Sequence, residues 1–163
     1  MAQVVIALGS NLGDRQAHLS NAKKFLSKLS TTPVTASSIY ETEPVGEAST
    51  HMYYNAVCLI RVDLHPLSLL EALKNYEQRY GRDPAVPRWA NRTIDLDIID
   101  YDRQFITRQR LHVPHPEYAK RLFVLIPLKE ICPDWTDLQS GQPIDALIAE
   151  TDEIQVSKTR LKW

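Results

Sequence analysis

The chain has 163 residues, 44% of them hydrophobic and 24% charged, with a formal net charge of −1. That length suits one domain, residues 1–163, able to bury roughly 70% of its unfolded surface around a single core, and the charge balance argues against a general nucleic-acid binder, which needs a basic face. Cys58 and Cys132 form no C-x-x-C unit and no apolar run approaches the ~18 residues of a membrane span, so the expectation is a cytoplasmic protein without a disulfide framework, zinc site or membrane partner.

Val4-Val5-Ile6-Ala7-Leu8 is a continuously apolar run ended by Gly9-Ser10-Asn11, the pattern of a central strand and its turn. Ala22, Phe25, Leu26 and Leu29 then recur at helical spacing until Ser30-Thr31-Thr32-Pro33 stops them. Residues 34–42 carry the β-branched and small polar side chains of a strand, and residues 53–62 give another. The loop between them, 43–51, is longer than a tight hairpin needs, which points to motion or function. Pro66 suits a first helical turn; Leu69, Leu70, Leu73, Tyr76 and Tyr80 keep helical spacing until Gly81. Glu77 lies within that apolar stripe, either at its margin or turned into a polar site. After a loop, residues 94–100 form a fourth strand.

The order β-α-β-β-α-β predicts an α+β, ferredoxin-like fold: an antiparallel sheet of four strands with both helices on one face. The remainder is less regular. Phe105-Ile106 suits a short strand, His112-Val113-Pro114-His115-Pro116 a loop, residues 121–131 a helix despite Pro127, and Ile144, Leu147 and Ile148 a last short helix. These make C-terminal helical additions to the sheet.

The most informative stretch is Arg88-Trp89-Ala90-Asn91-Arg92-Thr93-Ile94-Asp95-Leu96-Asp97-Ile98. Side chains alternate along a strand, so Asp95 and Asp97 point one way while Ile94, Leu96 and Ile98 point the other. Two close carboxylates repel, and Asp is depleted in strands. The pair is therefore either a solvated strand edge or the ligand set of a cation. Magnesium suits the second case, because it takes one or two carboxylates together with phosphate oxygens. Arginines at 82, 88, 92, 110 and 121 surround nearby loops and offer planar, paired donors for phosphate. No glycine-rich phosphate cradle exists, so side chains and metal would have to hold phosphates. On the strand 53–62, Tyr53, Asn55, Val57, Leu59 and Arg61 share one side, open if both helices cover the other. Tyr53 and Asn55 then pair an aromatic plate with an amide, which suits a flat nitrogen-rich ring, although an Asn beside a loop also serves as a turn anchor.

These residues resemble a family, the 6-hydroxymethyl-7,8-dihydropterin pyrophosphokinases of folate synthesis. The resemblance runs through Ala7-Leu8-Gly9-Ser10-Asn11-Leu12-Gly13, Tyr40-Glu41-Thr42-Glu43-Pro44-Val45-Gly46, Tyr53-Tyr54-Asn55-Ala56, Glu77, Gly81-Arg82, Arg88-Trp89, Arg92-Thr93-Ile94-Asp95-Leu96-Asp97-Ile98, Leu111-His112-Val113-Pro114-His115-Pro116 and Arg121-Leu122-Phe123-Val124-Leu125. It implies transfer of a pyrophosphoryl group from ATP to the pterin's hydroxymethyl oxygen, with release of AMP. It further implies that Asp95 and Asp97 hold two magnesium ions and that Arg82 and Arg92 are the catalytic, phosphate-neutralising pair. Tyr53 and Phe123 would sandwich the pterin, with Asn55 and the chain around Thr42, Pro44 and Val45 at its edge. Glu77, Arg82, Arg88, Arg92, Arg110, His112, His115 and Arg121, with the backbone of Ile98, would surround ATP, and Trp89 would close over both substrates. A monomer is expected. The other classes to weigh are a non-catalytic nucleic-acid module on the same fold and a pterin or nucleotide sensor without turnover.

Overall fold

The computed structural model describes residues 1–43, 51–80, 93–152 and 154–163. Its first strand, β1 (Ala2–Ser10), is longer than the apolar run that announced it and leads into α1 (Arg15–Leu29). The Asp14 carboxylate caps that helix by accepting from the Ala17 N–H at 3.1 Å, satisfying a donor the first turn leaves free. The expected second strand is two pieces, β2 (Thr35–Ala36) and β3 (Tyr40–Thr42), both paired with β4 (Tyr53–Val62). Ser37 bridges the break: its N–H donates to the Val57 carbonyl and its Oγ accepts the Val57 N–H, both at 2.9 Å, so the ladder continues through a side chain.

Helix α2 (Pro66–Tyr80) and strand β5 (Asp95–Tyr101) complete the pattern. The sheet order is β5-β1-β4-β3, every neighbouring pair antiparallel, which is the ferredoxin-like arrangement the element order predicts. Leu19, Ala22 and Leu26 of α1 and Leu69 and Leu73 of α2 pack with Val4, Ile6, Leu8, Cys58, Ile60, Leu96 and Ile98 on one face of the sheet. Burial on that scale is the dominant favourable term holding the two layers together.

Three features differ from the sequence expectation. The second face is not open along its length, because α3 (Leu122–Ile131) and α4 (Ile144–Glu150) cover part of it. Val124, Leu125, Leu128, Ile144 and Leu147 pack there against Val5, Val57 and Ile99. An apolar run placed the first of those helices in the sequence and hydrophobic spacing the second, but neither could say which surface they bury. Second, His112 and Val113 are not loop: they belong to β7 (Leu111–Val113), which forms a hairpin with β6 (Ile106–Arg108). Leu111 and Val113 alternate inward, a strand signal that the following prolines obscured. Third, the C-terminal additions are not only helical, since β8 (Val156–Lys158) extends the sheet beyond β3. With three residues and a single apolar side chain, β8 has no periodicity to read.

Candidate active site

The half of the second face that α3 and α4 leave uncovered is built in rows across the sheet. Asp95 lies opposite Gly9, Gly9 opposite Asn55, and Asn55 opposite Tyr40; in the next row Asp97 meets Ala7 and Ala7 meets Val57. At the other side Tyr53 pairs with Thr42. Alternation therefore sends Asp95, Asp97, Asn55, Tyr53 and Thr42 to one face, the paired acids at one side and the aromatic and amide at the other.

Gly9 makes that row possible. A Cβ at position 9 would stand 2.9 Å from the Asn55 Oδ1 and 3.7 Å from a Tyr53 ring carbon, so any side chain would displace the amide. Asn55 is 6% exposed and lies within β4, not at a turn, which removes the turn-anchor alternative. Its Nδ2 donates to the Thr42 Oγ1 at 2.6 Å, which orients the amide and aims the Oδ1 across Gly9. Phe123 stands in the first turn of α3, half-buried against the second apolar cluster, with the Arg121 guanidinium carbon 5.7 Å from its ring centre.

Glu77 is 1% exposed on α2. Its Oε1 accepts the Leu96 N–H at 2.6 Å and its carboxylate pairs with Lys74 at 3.2 Å. The amide it holds lies between Asp95 and Asp97, so α2 fixes the strand that presents the two acids. Burial, and then the Asp95 charge, push the Glu77 carboxyl up to about 7 against the opposing pull of Lys74 and the Leu96 amide.

His115 sits at the same end of the sheet. Its backbone N–H donates to the Ile99 carbonyl at 2.9 Å, and its Nδ1 accepts the Glu117 N–H at 3.1 Å. A neutral imidazole with Nδ1 engaged as acceptor carries its proton on Nε2, leaving that edge as a donor. Burial, followed by the charge of Arg121, pushes His115 down to about 4, while Glu117 and Asp95 act the other way. It is therefore neutral at physiological pH. His112 is exposed on β7 and Arg110 is exposed in the hairpin turn, whereas the Ile98 side chain belongs to the helix-face core, which leaves only its backbone for a ligand.

Asp95 and Asp97 are both half-buried and share a face, a donor set of hard oxygens that fits magnesium, which accepts one or two protein carboxylates and completes its shell with phosphate and water. Among the described residues no group of three or more His, Cys, Asp or Glu side chains comes together as a closed metal site. Pro44, Val45, Arg82, Arg88, Trp89 and Arg92 lie outside the described residues. Sequence reasoning passed over Gly9 as a site residue and Lys74 altogether. The first was signalled only by a glycine ending an apolar strand, and the second, three residues before Glu77, by ordinary helical charge pairing.

The family model described as 7,8-dihydro-6-hydroxymethylpterin-pyrophosphokinase matches residues 5–133. The chain is 46% identical over 128 residues to the 2-amino-4-hydroxy-6-hydroxymethyldihydropteridine pyrophosphokinase of Bacillus subtilis, covering 78% of this chain and 76% of that one. It is 41% identical over 151 residues to the enzyme of the same name from Haemophilus influenzae, covering 92% and 93%. A solved structure of Plasmodium falciparum HPPK-DHPS superposes with a TM-score of 0.68 at 15% identity, covering 92% of this chain; the chain spans only 43% of that longer protein, and the likeness speaks for the fold. On the extent of these matches, the chain belongs to the 7,8-dihydro-6-hydroxymethylpterin pyrophosphokinase family.

Proposed function

We propose that the uncovered half of the second face is where this pyrophosphokinase of folate biosynthesis moves a diphosphoryl group from ATP to the hydroxymethyl oxygen of its dihydropterin. The new bond joins that oxygen to the β-phosphorus, the bond from the β-phosphorus to the α,β-bridging oxygen breaks, and AMP leaves. The observation that carries the reading is the row Asp95–Gly9–Asn55, in which a carboxylate stands across a glycine from an amide, with Asp97 in the next row and a Tyr53 ring carbon 3.7 Å from where a Cβ of Gly9 would lie.

Tyr53 and Phe123 offer aromatic faces to the pterin, and the Asn55 amide, oriented by Thr42, offers a polar partner for its edge. Asp95 and Asp97 hold magnesium, which when bound supplies positive charge to the phosphate oxygens. Glu77 and Lys74 position the acidic strand through Leu96. His115 donates from Nε2 to an oxygen of the nucleotide, and Arg121 adds charge beside it. Arg82 and Arg92 are assigned to neutralise charge developing on the transferred phosphates, with Pro44, Val45, Arg88, Trp89, Arg110 and His112 completing the two substrate sites. The reading includes two metal ions and a monomeric, single-domain cytoplasmic protein. No helix among the described residues is long and apolar enough to cross a membrane.

Incubating the protein with ATP, magnesium and the reduced hydroxymethylpterin should release AMP in step with pterin diphosphate. A folded protein that binds both substrates and releases no AMP would favour the sensor alternative instead.

A further inference from the structure

Outside the site, the outer surface of the helix layer holds a groove of about 660 Å³ between α1 and α2. It lies on the face of the sheet opposite the acids and is unused by the reaction above. Lys24 and Lys28 stand one turn apart on the α1 wall, and Arg79 stands on the α2 wall. Among the described residues none of the three is ion-paired, and no carboxylate lines the groove. On a chain of net charge −1 that is a local concentration of positive charge.

The floor is aromatic. Phe25 and Tyr76 stack with ring centres 4.4 Å apart, and Tyr80, 55% exposed, stands 4.7 Å beyond Tyr76. Asn21 and Asn75, one from each helix, add side-chain amides that both donate and accept. Rings on the floor, amides beside them and cations on both walls make up the chemistry of a flat nitrogen heterocycle bearing phosphate. The volume falls within the roughly 300–1,000 Å³ usual for small-ligand sites. An acidic peptide would use the cations and the amides, but its backbone and carboxylates offer no planar ring to stack on the exposed Tyr80.

We propose that this groove is a second binding site for a phosphorylated nitrogen heterocycle. The class includes a nucleotide and the pterin diphosphate product, both present where the enzyme works; that second source rests on the function proposed above. The two share one chemistry, a planar ring read by Tyr80 and the amides, and phosphates held by Lys24, Lys28 and Arg79.

The test follows the ring resonances of Phe25, Tyr76 and Tyr80 by NMR in the intact protein, with Tyr53 and Phe123 as reporters of the active site. AMP, the pterin diphosphate and inorganic diphosphate are titrated separately. At least one ring-bearing ligand should shift the groove set, and whichever does so identifies the source. In the double variant Lys24→Glu, Lys28→Glu the groove midpoint should rise by about tenfold or more, while the active-site midpoint and AMP formation at low substrate stay unchanged. Three results would overturn the proposal. The groove rings could stay unmoved at ligand concentrations tenfold beyond active-site saturation. They could shift identically in the variant. Inorganic diphosphate alone could bind the groove as tightly as either ring-bearing ligand. A protein that makes no AMP yet shows these shifts would defeat the proposed function and leave a nucleotide groove standing.

Discussion

The two faces of the central sheet solve different problems with the same strands. On the helix face, Val4, Ile6, Leu8, Cys58, Ile60, Leu96 and Ile98 meet α1 and α2 in an apolar layer. On the other face, β1 and β5 contribute Gly9, Asp95 and Asp97, and among the described residues the apolar cluster lies under α3 and α4. Because side chains alternate, one residue step in β5 takes the chain from core to site: Leu96 is fully buried, while Asp95 and Asp97 on either side of it are not. The stability of one face therefore fixes the geometry of the other. Glu77 makes the link explicit, since it reaches from the helix layer to the amide between the two acids.

The largest separation of the faces should come from Asp97→Asn. It removes a charge the proposed site depends on and leaves volume unchanged, so turnover should fall about 1,000-fold while the unfolding free energy moves by less than about 1 kcal/mol. Rates of AMP formation set beside urea unfolding of the same sample check this. Near-native turnover at low magnesium would sink the metal assignment.

The mirror experiment is Leu26→Ala on the helix face, where the side chain has no exposure. Truncation there should cost about 3 kcal/mol through lost transfer energy and a residual cavity. Turnover per folded molecule should hold. A drop in turnover as steep as the stability loss would show that the faces are not separable in this way.

Gly9→Ala tests the site's own packing. The added methyl would meet the Asn55 Oδ1 at 2.9 Å, so the amide has to move. Overpacking of this kind should cost about 1–2 kcal/mol, and pterin affinity should weaken more than ATP affinity. Calorimetry with each substrate distinguishes this from equal loss of both, which would indicate general distortion of the strand.

The smallest expected effect concerns pH, where two groups at the boundary of the faces act in opposite senses. Glu77 titrates at 4.5 when unfolded and near 7 when folded. The stability it contributes is complete below pH 4.5 and is lost as pH rises toward 7. His115 moves the other way, from 6.5 down to about 4, so its contribution is complete above pH 6.5 and is lost as pH falls toward 4. Across the shared window the two slopes partly cancel. Glu77→Gln should leave stability rising more steeply with pH, and His115→Asn should leave it flatter or falling, as read from thermal unfolding between pH 4 and 8. Identical profiles for both variants would contradict the opposite directions in which burial moves the two groups.

The sequence by itself determined what depends on local spacing. Alternation put Asp95 and Asp97 on one face and Leu96 on the other, helical spacing marked α1, α2 and α4 and an apolar run marked α3, and the element order β-α-β-β-α-β led to the sheet. Motif resemblance extended this to the family. The cost of burying charge made Glu77 ambiguous in the sequence, because its energy depends on the Leu96 amide, which lies on the next strand and is brought to it only by the packing of α2 against β5. The tertiary structure alone decided that α3 and α4 cover half of the second face, that Glu77 holds the Leu96 amide, and that Gly9 stands where a Cβ would strike Asn55. Each of these is a contact between segments distant in sequence, set by strand register and by competition for apolar surface. Neither quantity is encoded in the periodicity of any one segment.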